Sequence, residues 1–366
     1  ILARDAVASV DVPAFERSAM DGYAVRAEDT FGATPDDPRP LRVAGESLPA
    51  RPAGVRVERD TCVRIMTGAP VPGGADAVVP VEHTVAAGDH VRVTAPVPPQ
   101  KHVGRVGEDI ARGTTVLPAG RRLRPQDGGL LSSLGFAQVS VIRRPRVAVL
   151  VTGDEVLPAG SFPRDYSVVD ANSPMLAALV ERDGGAPLEP VLVADREDEV
   201  RAALKRAAEQ AHVVLVSGGS SVGAEDHAPQ VLRRDGELAV HGVAMRPSSP
   251  AGLGFLAGRP VFLLPGNPVS CLCAYDFFAG RAVRTLGGRP AGWPHIAVKL
   301  AAGRKIVSAL GRTDYVRVRI EHDAVLPLAV SGASILSSTT RAHGFVIVPK
   351  DSEGYAERTP VTVHLY

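Results

Sequence analysis

The spacing of hydrophobic residues changes along the chain and divides it into stretches of different predicted structure. In the middle stretch, short continuous apolar runs, typical of buried strands, alternate with segments of helical periodicity. Ser173 is the predicted N-cap of the first of these helices, because Pro174 follows it at a position that favours proline. The other predicted helices are Glu197–Gln210 and Val269–Arg284, and the predicted strands are Arg146–Val151, Leu188–Val193, Val213–Val216 and Pro260–Leu264. This alternation predicts a parallel sheet with helices on both faces.

Short β-favouring segments, separated by Pro and Gly groups, come before and after this stretch. Those before it are Leu41–Val43, Thr61–Ile65, Ala77–Val81 and His90–Thr94, and a short helix is predicted at Gln126–Leu134. Those after it are Ile296–Leu300, Tyr315–Ile320, Phe345–Val348 and Pro360–His364. We therefore expect a helical linker domain (1–20 and 111–142), a β-rich insert (21–110), an α/β domain (143–287) and a C-terminal β domain (288–366).

Composition and charge indicate which classes of binding partner and which cellular compartment to expect. The 366 residues include 41 Lys and Arg against 40 Asp and Glu, a formal net charge of +1. Binding to nucleic acid or to an acidic membrane through bulk charge needs a basic excess, so neither partner is expected. No apolar run approaches the ~20 residues that span a bilayer. The cysteines Cys62, Cys271 and Cys273 form no CxxC pair, so we expect buried thiols in a reducing, cytoplasmic setting.

The predicted strand Val213–Val216 runs into a loop of glycines and hydroxyls, Ser217–Gly223. Glycine lets a backbone approach an anion closely, and amide N–H groups and serine hydroxyls can hold phosphate oxygens. The loop is not a Walker A motif, because no Gly-Lys-Ser/Thr follows it. It is either a plain connection or an anion site, and several such loops at one sheet edge favour the anion site.

Acidic residues follow the same strand ends. Asp154 and Glu155 end the first strand of the α/β domain, Asp195 ends the second, and Asp226 follows the glycine loop. Carboxylates beside a phosphate site are suited to Mg²⁺, which takes oxygen ligands and often shares them with substrate phosphates. The alternative for Asp195 and Asp226 is capping of the helices that they precede.

Further turns carry polar residues beside glycine or proline. Pro265-Gly266-Asn267-Pro268 is a stiff turn with free amides at a helix start, which is either a plain connection or a binding turn. In the N-terminal part, Asp21 and Thr67 each precede a glycine, and Asp109 lies two positions after one. Physical reasoning alone treats these three as ordinary turn residues.

Taken together, these segments resemble the molybdopterin molybdotransferases, the MoeA family that includes the gephyrin E domain. Six matching segments occur in the family's order: SAMDGYAV (18–25), MTGAPVP (66–72), GEDI (107–110), VTGDEV (151–156), SGGSSVG (217–223) and PGNPVS (265–270). The SGG loop is shared with molybdopterin adenylyltransferases, which lack the N-terminal insert and the β tail. The full architecture therefore favours the MoeA family.

The resemblance implies a three-layer α/β molybdopterin-binding domain with a β-rich insert, a helical linker region and a C-terminal β-barrel-like domain. It implies an elongated homodimer whose active site lies between the α/β domain of one subunit and the insert of the other. The implied reaction converts adenylylated molybdopterin and molybdate into molybdenum cofactor and AMP, with Mg²⁺ or another divalent cation present. Possible protein partners are molybdopterin adenylyltransferase and molybdoenzymes.

The family's functional positions fall on a defined set of residues in this sequence. The implied catalytic residues are Asp21, Thr67, Asp109, Glu155, Asp195 and Asp226, of which the last three are also the candidate metal ligands. The candidate cofactor-binding residues are Ser217, Gly218, Gly219, Ser220, Ser221, Gly223, Arg246, Pro265, Gly266, Asn267 and Pro268. Arg246 stands in a segment, Arg-Pro-Ser-Ser-Pro, where family members often carry lysines, and its planar fork suits an oxyanion such as molybdate.

Two alternatives remain open on the sequence. A molybdopterin adenylyltransferase would need only the α/β domain and would consume ATP. A molybdopterin carrier or scaffold would bind the pterin without inserting metal, and the reduced number of cations around Arg246 keeps that alternative open.

Overall fold

The chain divides into two units, an N-terminal unit of Leu2–Val141 and a C-terminal unit of Ile1 with Ile142–Tyr366. The computed structural model describes residues 1–219, 226–329 and 332–366. Each unit is built around its own cores, and the predicted sheets are divided between the two.

The N-terminal unit is organised around a six-stranded sheet. Its strands lie in the order Ala77–Pro80, Gly22–Val25, Thr61–Ile65, Arg39–Ser47, His90–Val93 and Thr84–Ala87. Two short strand pairs accompany it, Ala6–Val7 with Thr115–Leu117 and Arg17–Ser18 with Val103–Gly104. The unit also contains 3₁₀ turns at Ala27–Thr30 and Val81–His83 and the helix Pro125–Ser133. The four strands and the helix predicted for this part of the chain are present.

Residues 1–20, predicted as part of a helical linker, form strands instead. All of these residues are described, and none of them lies in a helix. Many of their backbone hydrogen bonds go to segments far along the chain, as in the bond from the Ser18 N–H to the Ala69 carbonyl at 2.9 Å and from the Val12 N–H to the Ile110 carbonyl at 2.8 Å. Such distant pairing leaves no local periodic signal in the sequence, which is why these strands were not predicted.

The C-terminal unit begins with the predicted α/β sheet. Its strands lie in the order Ala186–Pro187, Arg146–Thr152, Val213–Ser217, Arg259–Leu264, Gly252–Leu256 and Glu237–His241, and Val191–Val193 also pairs with Arg146–Thr152. All pairs are parallel except those made by Gly252–Leu256 and Glu237–His241. The helices are Asn172–Arg182, Glu197–Gln210, His227–Asp235, Pro268–Ala274 and Gly280–Leu286, with a π-helical turn at Tyr275–Ala279.

The strand Val213–Ser217 shows why this sheet has helices on both faces. Val214 and Val216 belong to a core that includes Leu204 of the helix Glu197–Gln210. Val213 and Leu215 belong to a second core, with residues of the helices on the other face. Side chains alternate between the two faces of a strand, so a continuous apolar run requires two apolar partners. The predicted three-layer α/β arrangement is confirmed.

Several boundaries differ from the prediction. Leu188–Val193 is not one strand: Pro190 lies within it and lacks the N–H that a ladder needs, and the chain pairs instead as Ala186–Pro187 and Val191–Val193. The helix His227–Asp235 and the two antiparallel strands Gly252–Leu256 and Glu237–His241, of which the second forms the edge of the sheet, were not predicted.

The start of the helix Asn172–Arg182 also differs from the prediction. Ser173 is not its N-cap, since Ser173 already lies within the helix. The Oδ1 atom of Asp170 instead accepts the N–H groups of Asn172 at 2.9 Å and of Ser173 at 3.0 Å. A carboxylate before the first turn thus satisfies two amides that have no partner within the helix.

The C-terminal β region is a closed barrel. Five strands, Thr313–Glu321, Ala324–Ala329, Ala297–Ala302, Pro360–Leu365 and Gly344–Val348, pair in this order, and the last pairs with the first. The short strand Met245–Arg246 extends from the α/β region and pairs with the start of Thr313–Glu321. The remaining elements are the strand pairs Ile306–Val307 with Gly354–Tyr355 and Val156–Leu157 with Val168–Val169, and the helix Ser337–Thr340.

Among the residues that the structure describes, no helix combines the length and the apolar character needed to cross a membrane.

Replacement of Leu215 by Ala tests the two-faced core. Leu215 is 0% exposed in the strand between the two helix layers, so the substitution leaves a cavity and should lower the free energy of unfolding by about 2–5 kcal/mol. Urea denaturation monitored by circular dichroism measures this change. Val191→Ala is the matched control, because Val191 is 44% exposed and its loss should cost far less. Equal losses in the two variants would contradict the assignment.

Candidate active site

A cavity of about 760 Å³ lies at the carboxyl ends of the parallel strands. Its walls come from the loops that follow Arg146–Thr152, Val213–Ser217 and Arg259–Leu264, and from the start of the helix Asn172–Arg182. Ten residues predicted from the sequence line it: Glu155, Asp195, Ser217, Gly218, Gly219, Asp226, Pro265, Gly266, Asn267 and Pro268. The sheet topology thus gathers residues that lie far apart along the chain.

The glycine loop passes close to the loop of the neighbouring strand. Gly218 has a φ of +96°, and a Cβ atom there would lie 2.4 Å from the carbonyl oxygen of Thr152. The Gly218 N–H donates to the Leu264 carbonyl at 3.1 Å, so the loop is held against strands on both sides. Only glycine allows this approach, because any side chain would collide with the Thr152 backbone. Ser220, Ser221 and Gly223 lie outside the described residues, and their role stays a prediction.

Three carboxylates from different segments, Glu155, Asp195 and Asp226, line the cavity. Burial is the largest influence on Asp195 and raises its pKa above the usual value. The positive charge of His227 acts in the opposite direction. The negative charges of Asp154, Asp226 and Glu155 raise the pKa further, so the acids lie close enough to influence one another.

Neither of the two acids considered as helix caps makes a capping bond with its side chain. The helix Glu197–Gln210 follows Arg196, and Asp195 instead donates its N–H to Oδ1 of Asp154 at 3.0 Å. Asp226 is the N-cap residue of His227–Asp235, yet its side chain makes no capping bond to that helix, all of whose residues are described. The structure therefore gives no support to capping as the reason for these acids.

The carboxylates suit a divalent cation only if the substrate supplies further ligands. In the described part of the chain, no three His, Cys, Asp or Glu side chains form a group able to hold a metal ion. The Oδ1 atom of Asp195 is buried and has no hydrogen-bond partner there. Mg²⁺ commonly takes one or two protein carboxylates and completes its shell with water and substrate phosphates. Metal ligation by Glu155, Asp195 and Asp226 stays a prediction.

Arg246 lines a neighbouring cavity of about 720 Å³ that shares Pro250, Pro265 and Asn267 with the first. Its guanidinium forms an ion pair with Asp314, whose side chain is fully buried. Arg312 Nε and Ser308 Oγ also donate to this carboxylate, at 3.2 and 2.8 Å. Arg246, predicted to receive an oxyanion, is therefore held by a carboxylate that it shares with Arg312, so the two guanidinium groups keep one positive charge in excess.

The Pro265–Pro268 turn is held from two sides. The Asn267 carbonyl accepts the Cys271 N–H at 2.9 Å, which begins the helix Pro268–Ala274. The Val269 N–H donates to the Ala333 carbonyl at 2.9 Å, and Ser334 beside it lines the first cavity. A segment of the C-terminal β region thus contributes to this wall.

In the N-terminal unit, two of the three predicted residues meet. The Thr67 N–H and hydroxyl both donate to Oδ1 of Asp21 at 2.7 Å, and these bonds lower the pKa of Asp21, with the backbone bond the larger cause. Gly22 beside it has no room for a side chain, since a Cβ atom there would lie 1.9 Å from the Val79 oxygen. Asp109 is exposed, and its backbone N–H donates to the Val12 carbonyl at 3.1 Å. No hydrogen bond among the described residues joins Asp109 to the other two.

Three buried polar residues that line the first cavity were not predicted from the sequence: Thr152, Asp170 and Asn172. The Thr152 Oγ1 and Asn172 Oδ1 atoms are buried without a hydrogen-bond partner in the described part of the chain. Such atoms are costly in a folded protein and are often found at functional sites. Thr152 lies within the VTGDEV segment, and Asn172 follows a short strand. The sequence alone does not reveal that either side chain is buried.

Three family models match consecutive parts of the chain. Residues 1–135 match the MoeA N-terminal region (domain I and II), residues 148–285 match a model described as "Probable molybdopterin binding domain", and residues 299–366 match the MoeA C-terminal region (domain IV).

Individual proteins are similar over the whole length. Molybdopterin molybdenumtransferase 2 of Mycobacterium tuberculosis is 39% identical over 99% of this chain and 91% of its own. Molybdopterin molybdenumtransferase of Staphylococcus aureus is 31% identical over 97% of this chain and 86% of its own. A crystal structure of the MoeA molybdopterin biosynthesis protein from Pyrococcus horikoshii has a TM-score of 0.88 at 32% identity, covering 100% of this chain and 91% of that chain.

The chain belongs to the MoeA family. The predicted family, the multi-domain MoeA fold and the assignment as an enzyme of molybdenum cofactor biosynthesis are confirmed. Of the alternatives left open by the sequence, the adenylyltransferase does not account for the matches to the N-terminal and C-terminal MoeA regions.

Replacement of Asp195 by Asn tests the electrostatics of the cavity. A carboxyl with a raised pKa in the folded state destabilises the fold once it ionises, so the penalty is present at neutral pH and absent below the pKa of the unfolded chain. The variant should therefore unfold at a higher temperature than the parent at pH 7, and at nearly the same temperature near pH ~3. Calorimetry at both pH values measures this.

The control is Asp198→Asn, which removes an exposed acid from the first turn of Glu197–Gln210. This change should slightly lower stability at pH 7, because an acid there interacts favourably with the helix N-terminus. A loss of stability in Asp195→Asn at pH 7 would show that the ionised carboxyl of Asp195 does not destabilise the folded state.

Proposed function

We propose that this chain inserts molybdate into adenylylated molybdopterin and releases molybdenum cofactor and AMP. The proposal is supported above all by one cavity in which a glycine loop, a stiff Pro-Gly-Asn-Pro turn and several carboxylates meet at the ends of parallel strands. These are the groups expected to hold a phosphate-bearing nucleotide and to act on its anhydride bond. The names of the curated relatives support the same activity.

Within this proposal, the chain's residues bind and orient the substrate. The amides of Gly219 and Asn267 receive phosphate oxygens, and molybdate is bound alongside as the second substrate. No cysteine serves as nucleophile: burial raises the pKa of Cys271 and of Cys62 to about 12, which keeps both as thiols at neutral pH. Positioning and electrostatic stabilisation account for the rate.

The carboxylates Glu155, Asp195 and Asp226 are the proposed ligands of Mg²⁺. When bound, the cation would polarise the phosphoanhydride and balance developing charge. The raised pKa of Asp195 is consistent with a carboxylate placed among other acids to receive a cation. Mg²⁺ should raise the affinity for adenylylated molybdopterin by offsetting the repulsion between these acids and the phosphates.

We also propose a cytoplasmic homodimer with shared active sites, as the family resemblance implies. In it, Asp21, Thr67 and Asp109 belong to the insert that completes the cavity of the other subunit. In this proposal, the Asp21 carboxylate, oriented by hydrogen bonds from the Thr67 N–H and hydroxyl, is a group that the insert offers to the other subunit. Molybdopterin adenylyltransferase as substrate supplier and molybdoenzymes as recipients are the proposed protein partners.

Replacement of Asp226 by Ala tests the carboxylates. With adenylylated molybdopterin, molybdate and Mg²⁺, the parent protein should release AMP, and the variant should release it at least about tenfold more slowly because one cation ligand is lost. AMP is quantified by chromatography. Asp198→Ala, which removes an exposed acid from outside the cavity, is the control and should retain the parent rate.

The same assay distinguishes the alternatives. Bound pterin without AMP release by the parent protein would support a carrier and overturn the proposed insertion. An unchanged rate in Asp226→Ala would remove Asp226 from the mechanism.

Mixing of two inactive variants tests the shared site. If each site takes Asp21 from one subunit and Asp226 from the other, a heterodimer of Asp21→Asn and Asp226→Ala contains one intact site. Random reassociation should then restore about a quarter of the parent rate. A mixture of Asp195→Ala with Asp226→Ala is the control and should stay inactive, since both residues line one cavity of one chain. Failure of the first mixture to regain activity, despite proven subunit exchange, would exclude a shared site.

A further inference from the structure

Asn172 joins the loops that follow two neighbouring strands. Its Nδ2 atom donates to Oγ of Ser217 at 2.8 Å and to the carbonyl oxygen of Gly266 at 2.7 Å. Ser217 ends the strand Val213–Ser217, and Gly266 follows the strand Arg259–Leu264. One side chain at the start of a helix therefore bridges the glycine loop and the Pro265–Pro268 turn.

The orientation of this amide is determined by its partners. The Gly266 carbonyl can only accept a hydrogen bond, so the atom facing it must be the nitrogen of Asn172. The residue itself is held in place at the start of its helix, where its backbone N–H donates to Asp170 at 2.9 Å. Asn172 is 6% exposed and Ser217 is 0% exposed, so water does not readily replace these bonds.

The hydrogen bonds of Asn172 lie at and beyond the end of the sheet, so they stabilise the loops and not the pairing of the strands. The ladder between the two strands ends at the pair Ser217 and Leu264, and the Gly218 N–H adds one more bond to Leu264. Gly266 lies beyond that point, where the strands no longer pair. The bond from Asn172 thus acts on the loops that line the cavity, while the sheet beneath them is held by its own ladder.

We propose that Asn172 is a positioning residue, which sets the spacing between the Ser217–Gly219 loop and the Pro265–Pro268 turn and so preorganises the cavity for the phosphates of the substrate. Asn172 does not touch the reacting atoms; it acts through Ser217 and Gly266. Preorganised amides bind phosphate without paying to order the loops at the moment of binding. The inference rests on the proposed function for the identity of the substrate.

The test replaces Asn172 with Leu, which keeps the side-chain volume and removes both hydrogen bonds. The KM for adenylylated molybdopterin and the dissociation constant for AMP, measured by calorimetry, should each rise about tenfold. Hydrogen exchange at the amides of Gly218 and Gly219 and of Gly266 and Asn267 should accelerate, while exchange at residues 213–216 of the preceding strand should not. This last measurement needs no ligand.

Ser173→Ala is the matched control, because the Ser173 hydroxyl donates to Asp170 at the same helix start without contacting either loop. It should leave KM, AMP affinity and loop exchange unchanged. A double variant with Ser217→Ala should lose less than the sum of the two single effects, since the two side chains share one hydrogen bond. If Asn172→Leu does not fold, Asn172→Ala replaces it in every measurement.

Unchanged loop exchange and AMP affinity in the Asn172 variant would overturn the proposal, as would equal effects in Ser173→Ala. Failure of the proposed function is recognised separately, because it appears in the parent protein as an absence of AMP release. The loop-exchange difference between variants can still support or overturn the positioning role in that case.

Discussion

The approach of the Gly218 backbone to the Thr152 carbonyl is the contact on which the cavity depends. It brings together the loops that follow two neighbouring parallel strands, and the Gly218 N–H ties the second of them to the third strand at Leu264. The strands can be neighbours because each is apolar on both faces and is covered by helices on both sides. Close packing of the sheet therefore places the polar loops within reach of a single ligand.

The charges around the cavity suggest how an anionic substrate is accommodated. Carboxylates line its wall, and the nearby cation of Arg246 is paired with the buried Asp314. Phosphate oxygens must then rely on backbone amides and on a cation that offsets the acids. Burial is the main cause of the raised pKa of Asp195, and the negative charges of the neighbouring acids raise this pKa further. Asn172 belongs to the same arrangement, because it holds the amide-bearing loops at a set spacing without adding charge.

Hydrophobic periodicity predicted those strands and helices whose pattern is contained within their own residues. The strand Thr61–Ile65 and the helix Glu197–Gln210 have the bounds expected from their periodicity. The prediction failed where distant segments decide the structure, as in residues 1–20, whose short strands pair with segments far along the chain. It also failed at Ser173, because the helix begins one residue earlier, at Asn172, and the Asp170 carboxylate accepts the amides of Asn172 and Ser173.

The sequence by itself determined the main alternation of strands and helices in the α/β region, the two-faced apolar character of its central strands and the polar loops at their ends, because each depends on residues adjacent in the chain. The matching motifs also indicated the family. Only the tertiary structure decided which polar groups are buried and which charges are paired. The bond from Asn172 to Gly266 and the pair of Arg246 with Asp314 join residues far apart in sequence. Such contacts depend on how the strands and the barrel pack, and no spacing along the chain encodes them.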